Sequence, residues 1–292
     1  MGRVSPVPPA VRALVALLAV TAAAAVAVEL VNWAYAADAG WPLTVRTGWA
    51  LLRGVGFLVL IRHVRRGRAG ARPFGLILAV TTVLAVGRLL VPRSGLPALP
   101  GVLGFAVLVL LCLAVVLMLY RSPAVIAQLS RPPRRLVAGR GGLEFRDGAV
   151  RHVDARALTA RVAAFAYGPL MLVPAAVAVG EVVGGRVAVL PVVVAWFALG
   201  IGVSYAVLLA AIFLLRGHGW ARRLLVAISV GVLVFDLPLC WWLLGVDGLV
   251  RDGGPLVVAA GLALYALRRG GPRRTAAGGR ADAAFAAAPT RP

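Results

Sequence analysis

The chain contains no lysine: all 31 of its basic residues are arginine, and against them stand only 10 acids, 3 histidines and 2 cysteines. Each scarcity removes a class of chemistry. Gly139-Arg140-Gly141-Gly142 is glycine-rich, but without a following Lys-Ser/Thr it is not a phosphate-binding loop. Cys112 and Cys240 match no zinc or redox spacing and lie in apolar segments, where they read as inert packing residues. His63, His152 and His218 have no cysteine, histidine or carboxylate at ligand spacing, so they read as structural or solvated. Neither His-Glu-x-x-His nor Gly-x-Ser-x-Gly occurs. The expectation is a protein without enzymatic activity, metal or cofactor.

What is abundant is apolar surface. Hydrophobic residues make up 61% of the chain and charged residues 14%, with a mean hydropathy of +0.94. Soluble domains hold about 45–50% apolar and about 25% charged residues, so the natural solvent here is a bilayer. The bias toward Ala, Val, Gly and Arg is that of a GC-rich genome. A net charge of +21 invites a nucleic-acid reading. The arginines instead fall in short clusters between apolar runs, which the positive-inside rule explains, and no nucleic-acid partner is expected.

The chain divides around a basic, Pro- and Gly-punctuated stretch from Arg121 to Arg161, with four apolar runs on each side. The first four are Val11 to Tyr35, Thr47 to Val64, Phe74 to Val91 and Val102 to Tyr120. The second four are Val162 to Val183, Val187 to Leu215, Leu224 to Leu244 and Gly253 to Leu267. The expected fold is an all-α polytopic membrane bundle of eight spans, in two parallel four-helix repeats. Its parts are a membrane half over residues 1–120, a basic cytoplasmic linker over 121–161, a second half over 162–267 and a disordered basic tail over 268–292. The last run is short for about 30 Å of hydrocarbon, so seven spans is the rival count. A cleaved signal peptide ending near Ala34-Tyr35-Ala36 is the rival reading of the first run. In the linker, alternation over Leu143 to Val153 around Asp147-Gly148 predicts a small hairpin.

Three features suggest duplication. Gly67, Ala71 and Arg72 precede Gly217, Ala221 and Arg222 by 150 positions. Ala24 to Val28 and Ala175 to Val179 both read Ala-Ala-Val-Ala-Val. An acid follows each, Glu29 or Glu181. An even number of spans per half would give the halves one orientation. With the first residues placed in the cytoplasm, the cytoplasmic segments hold 25 of the 31 arginines and 4 of the 10 acids. Trp33, Trp41, Trp49, Trp241 and Trp242 then gather near the outer interface. Both termini are expected in the cytoplasm of a plasma-membrane protein. Its partners would be the bilayer, anionic headgroups at the cytoplasmic face and a possible protein partner.

The Gly217-His218-Gly219-Trp220-Ala221-Arg222 turn after a span resembles a pattern common in uncharacterised multi-pass membrane proteins of actinobacteria. The first copy departs from it, with Gly70 where the second has Trp220. The resemblance implies a membrane location and assigns no chemistry.

Ionisable residues inside spans are expensive and therefore candidates for function. The apolar runs contain Glu29, Arg53, Arg88, Glu181 and Asp236, all expected toward the outer leaflet. They form the candidate polar cluster, with Arg88 and Asp236 as a possible cross-half pair. The leading expectation is transport or binding of a small solute or lipid through an outward-facing polar cavity. The alternative is a membrane scaffold or accessory subunit whose Arg-rich loops bind anionic lipid or a protein. A membrane-embedded enzyme would need convergent acid, base or metal groups, and the sequence shows none.

Overall fold

The computed structural model describes residues 8–35, 40–87, 98–130, 134–139, 142–147, 155–216 and 218–269. Apart from one two-stranded hairpin, the described chain is helical. Six helices are long and apolar enough to cross a membrane, which marks a membrane protein. Large apolar side chains face outward along them, among them Leu110, Leu113, Tyr205 and Phe235. In water that surface would be an aggregation patch; against lipid it is the expected exterior.

The first half holds α1 (Pro9–Ala34), α2 (Trp41–Arg65), α3 (Ala71–Val86) and α4 (Ala98–Arg121). They form a ring in which each helix packs on the next and α4 returns to α1. Its core is built from Leu14 and Leu18 of α1, Phe57 and Leu60 of α2, Leu78 of α3 and Leu119 of α4. A short helix α5 (Pro123–Leu129) folds back on α1 and α4 and buries Val125 and Leu129.

The second half has its own core around Tyr167, Met171, Trp196, Leu225 and Leu256. Its first helical passage is α6 (Ala155–Phe165) followed by α7 (Tyr167–Val183). The interruption at Ala166 has a covalent cause: Pro169 has no N–H for the carbonyl of Phe165 and its ring crowds that turn. Next come α8 (Leu190–Leu215), α9 (Gly219–Gly248), a π-turn (Leu249–Gly253) and α10 (Gly254–Arg269). Pro191 opens α8 instead of interrupting it, since the first helical turn has N–H groups to spare. Helix α6, which buries Ala160, Ala163 and Ala164, packs on α10, which buries Ala259, Ala260 and Ala263, and small side chains of this kind let helices approach closely.

Gly245 turns the chain at the end of α9. Its φ of 71° and ψ of −166° break the helix, and that combination is open essentially to glycine alone. The chain then folds back: the Arg222 guanidinium near the start of α9 donates to the carbonyl of Leu267 near the end of α10. The two helices therefore run antiparallel.

The turns after α2 and after α8 have matching hydrogen bonds 150 positions apart. Arg68 N–H donates to His63 O at 3.0 Å and His218 N–H to Phe213 O at 3.1 Å. Ala71 N–H donates to Arg68 O at 3.0 Å and Ala221 N–H to His218 O at 3.2 Å. The first of each pair is the bond that closes a helix in a Schellman motif.

The hairpin differs from the sequence expectation in register. The strands are β1 (Arg134–Gly139) and β2 (Gly142–Asp147), antiparallel, with Gly139 opposite Gly142. The connection is at residues 140–141, and Asp147 ends the second strand instead of leading a turn. The tail from residue 270 and the loop over residues 88–97 lie outside the described residues.

Candidate functional site: a buried polar cluster between the halves

The halves meet where α2 packs on α7 and α3 packs on α6 and α10. Sequence dictates one anchor of this seam. Pro42, in the first turn of α2, rests against Gly180 of α7, where an added Cβ would come within 2.9 Å of the ring. Beside it Trp41 Nε1 donates to the carbonyl of Ala176 at 2.7 Å.

Helix α2 begins at Trp41, six residues before the expected start of the second span at Thr47. Proline at the second helical position permits that early start. Arg53 stands at the middle of this longer helix, about 18 Å from each end at about 1.5 Å per residue. Arg53 is 5% exposed. Trp49, one turn earlier, lies under its guanidinium at 5.9 Å, a cation–π contact. The charges of Glu29 and Asp252 both act on it, yet its Nε and Nη1 have no hydrogen-bond partner.

Glu29, on the last turns of α1, is buried. Its Oε1 accepts from Thr47 Oγ1 at 3.2 Å and, weakly, from Asn32 Nδ2 at 3.5 Å. Across the seam Asp252, buried in the π-turn, lies 3.9 Å from Arg46. Arg251 is buried beside it. Trp49, Thr81, Pro174, Arg251, Asp252 and Pro255 line a space of about 10 Å³, room for one water molecule. Residues of both halves thus line one small polar space, with Glu29, Arg46 and Arg53 outside its lining.

Of the sequence candidates, Glu29 and Arg53 belong to this cluster. Asp236 does not reach it by contact. It is fully buried within the second half, where Trp196 Nε1 donates to Oδ1 at 2.7 Å and Cys240 Sγ to Oδ2 at 3.5 Å. Trp196 also lines an apolar recess of about 350 Å³ between α8 and α9. Glu181 stands at the end of α7 with its side chain 38% exposed, paired to Arg186 at 2.8 Å. Glu29 and Glu181, alike in local sequence, therefore occupy unlike surroundings. Arg88 lies outside the described residues.

Arg46, Arg251 and Asp252 were not among the sequence candidates. Arg46 fell before the expected span, and the other two fell in an expected loop. A signal was present, since Arg-Asp adjacent to a marginal span is an ion-pair pattern. No group of three or more His, Cys, Asp or Glu able to hold a metal occurs among the described residues. Comparison with protein-family models, with curated proteins and with solved structures gave no match.

Proposed function

We propose that this is a non-catalytic plasma-membrane protein that binds, and passes across the bilayer, a small solute or lipid headgroup at the polar cluster between its halves. The chain crosses the membrane eight times, as two parallel four-helix repeats, with both termini in the cytoplasm and the Arg-rich cytoplasmic face against anionic lipid. The observation that carries this reading is Arg53: an ionised side chain buried in the middle of an apolar helix, with donors left over, at a seam built from both halves. A guanidinium at that depth costs about 2.5–3.5 kcal/mol on insertion scales, an expense hard to explain by packing alone.

Eight crossings are supported by the antiparallel return of α10 along α9. Helices α3 and α10 have 16 residues each, about 24 Å, and reach the bilayer surfaces only with local thinning or with their flanking turns. Duplication is supported by the matched turn bonds 150 residues apart.

The scaffold reading has one observation in its favour: the space between the halves has room for only a single water. A transporter must open it. Cysteine placed at Ala85, on the wall of that space, discriminates between the two. In membranes, a water-soluble, membrane-impermeant thiol reagent is expected to label Ala85→Cys, more slowly than the exposed control Val187→Cys. Labelling of the control with none of Ala85→Cys from either side would support the scaffold and refute transport.

A further inference from the structure

We infer that the cluster is a receptor for a small oxoanion (a carboxylate, phosphate or sulfate group) held by Arg53 and Arg46. The inference deepens the ligand-site reading above and rests on it.

The demand at the site is for acceptors. Arg53 Nε and Nη1 and Arg46 Nε are buried donors without a partner. A buried unpaired donor costs about 1–3 kcal/mol, more when charged. The acceptors at hand do not meet the demand: Asn32 Oδ1 and Asp252 Oδ2 are themselves buried without a partner, two against these three donors. Glu29 is turned to Thr47 and Asn32. Asp252 lies at 3.9 Å from Arg46, beyond a good charge-assisted hydrogen bond. Asp252 is shared, since the charges of Arg251, Arg46 and Arg53 all act on it. Two further acids are within electrostatic reach of Asp252: Asp247, exposed at the helix end, and Asp236, buried in the second half.

The sign follows. A cationic solute would bring no acceptor for the unpartnered donors of Arg53 and Arg46, and a neutral one would bring no charge to face them. An oxoanion brings both acceptors and a negative charge. Trp49 covers a face of the Arg53 guanidinium, and the N–H groups lie in its plane. An oxygen ligand is therefore received at the edge, the arrangement arginine uses for carboxylate and phosphate. The nearby space lined by Trp49 and Asp252 has room for only one water and is not lined by Arg53 or Arg46, so the anion enters by parting α2 and α3 from α7 and α10, and binding is coupled to movement at the seam.

The test uses the full chain purified in a neutral, non-ionic detergent. Thermal unfolding midpoints are measured against inorganic phosphate, sulfate and acetate, with sodium chloride at matched ionic strength as reference. A parallel arm adds short-chain phosphatidic acid, which carries the same phosphate on a lipid. The wild type is expected to gain a saturable rise in midpoint with at least one free oxoanion or with the lipid. Arg53→Lys and Arg46→Gln, which keep charge or bulk and guard against misfolding, are expected to weaken apparent affinity by about 10-fold or more. Arg186→Gln, at the exposed pair, is expected to respond like the wild type. A response to phosphatidic acid alone, lost in both variants, supports the site and names a lipid headgroup as its source. No response beyond chloride in either arm overturns the inference, as does a response unchanged in both variants. Ala85→Cys that labels while no oxoanion binds would sink the anion and leave the solute reading standing. An Arg53-dependent response without labelling would do the reverse for transport.

Discussion

Replacing Trp196 by Phe offers a quantitative check on the packing of the second half. The indole N–H meets Asp236 Oδ1 at 2.7 Å, and neither residue is more than 1% exposed. A short bond to a buried carboxyl group is worth about 0.5–1.5 kcal/mol if the group is neutral and about 1.5–3 kcal/mol if it is charged. Two effects pull that figure down or blur it. Interhelical hydrogen bonds in membrane proteins average about 0.6 kcal/mol and reach about 1.7, because the unfolded chain in lipid or detergent finds partners too. Trp196→Phe also removes ring volume, a packing loss unrelated to the bond. A double-mutant cycle with Asp236→Leu cancels the second effect, since both backgrounds lose the same ring. Cys240 Sγ at 3.5 Å is too weak a donor to stand in for the indole. The expected coupling is therefore about 1.5 kcal/mol, above the membrane average, or roughly a 10-fold change in the folded-to-unfolded ratio. Reversible unfolding in mixed micelles, followed by circular dichroism, measures it. A coupling below about 0.5 kcal/mol would refute the claim that Asp236 is held by Trp196.

Two glycines supply further predictions. Gly180→Val is expected to push α7 from Pro42 at the seam, costing about 1–3 kcal/mol by overpacking and altering the fluorescence of Trp41, whose indole bonds to Ala176 nearby. Unchanged stability and emission would show that the seam is not packed as described. Gly245→Ala is expected to lower stability by about 1–3 kcal/mol because its backbone angles exclude a Cβ. Gly231→Ala, in open space on the same helix, is expected to be neutral or mildly stabilising. Equal melting temperatures for the two variants would argue against the break.

Local sequence carried the membrane character and most helix positions, because spanning length and apolar content are properties of contiguous residues. It also carried the turns: Gly67 sits at φ 64° where α2 ends, as a glycine after a helix should. Helix ends were less legible. Trp41 and Pro42 start α2 early because Trp41 and Pro42 dock on α7, 135 and 138 residues away at Ala176 and Gly180. That docking set Arg53 at mid-helix. The hairpin partner was likewise not legible: alternation pointed downstream of Asp147, whereas the described pairing of Gly142–Asp147 is with Arg134–Gly139 and residues 148–153 lie outside the described residues.

The cluster shows the division most clearly. Sequence could flag Glu29 and Arg53, since a charge in an apolar run is visible without a partner. It could not separate Glu29 from Glu181, which share the motif before them. Burial under Thr47 and Asn32 made one an interior group, and the end of α7 left the other beside Arg186. Nor could it recruit Arg46, Arg251 and Asp252, which lie at the ends of apolar runs and look like interface residues. The return of the chain at Gly245 and the packing of α2 on α7 brought them together. Hydrophobic patterning is written along the chain. The pairing of charges across 200 residues is written only in how helices dock, and Arg46 with Asp252 exists nowhere else.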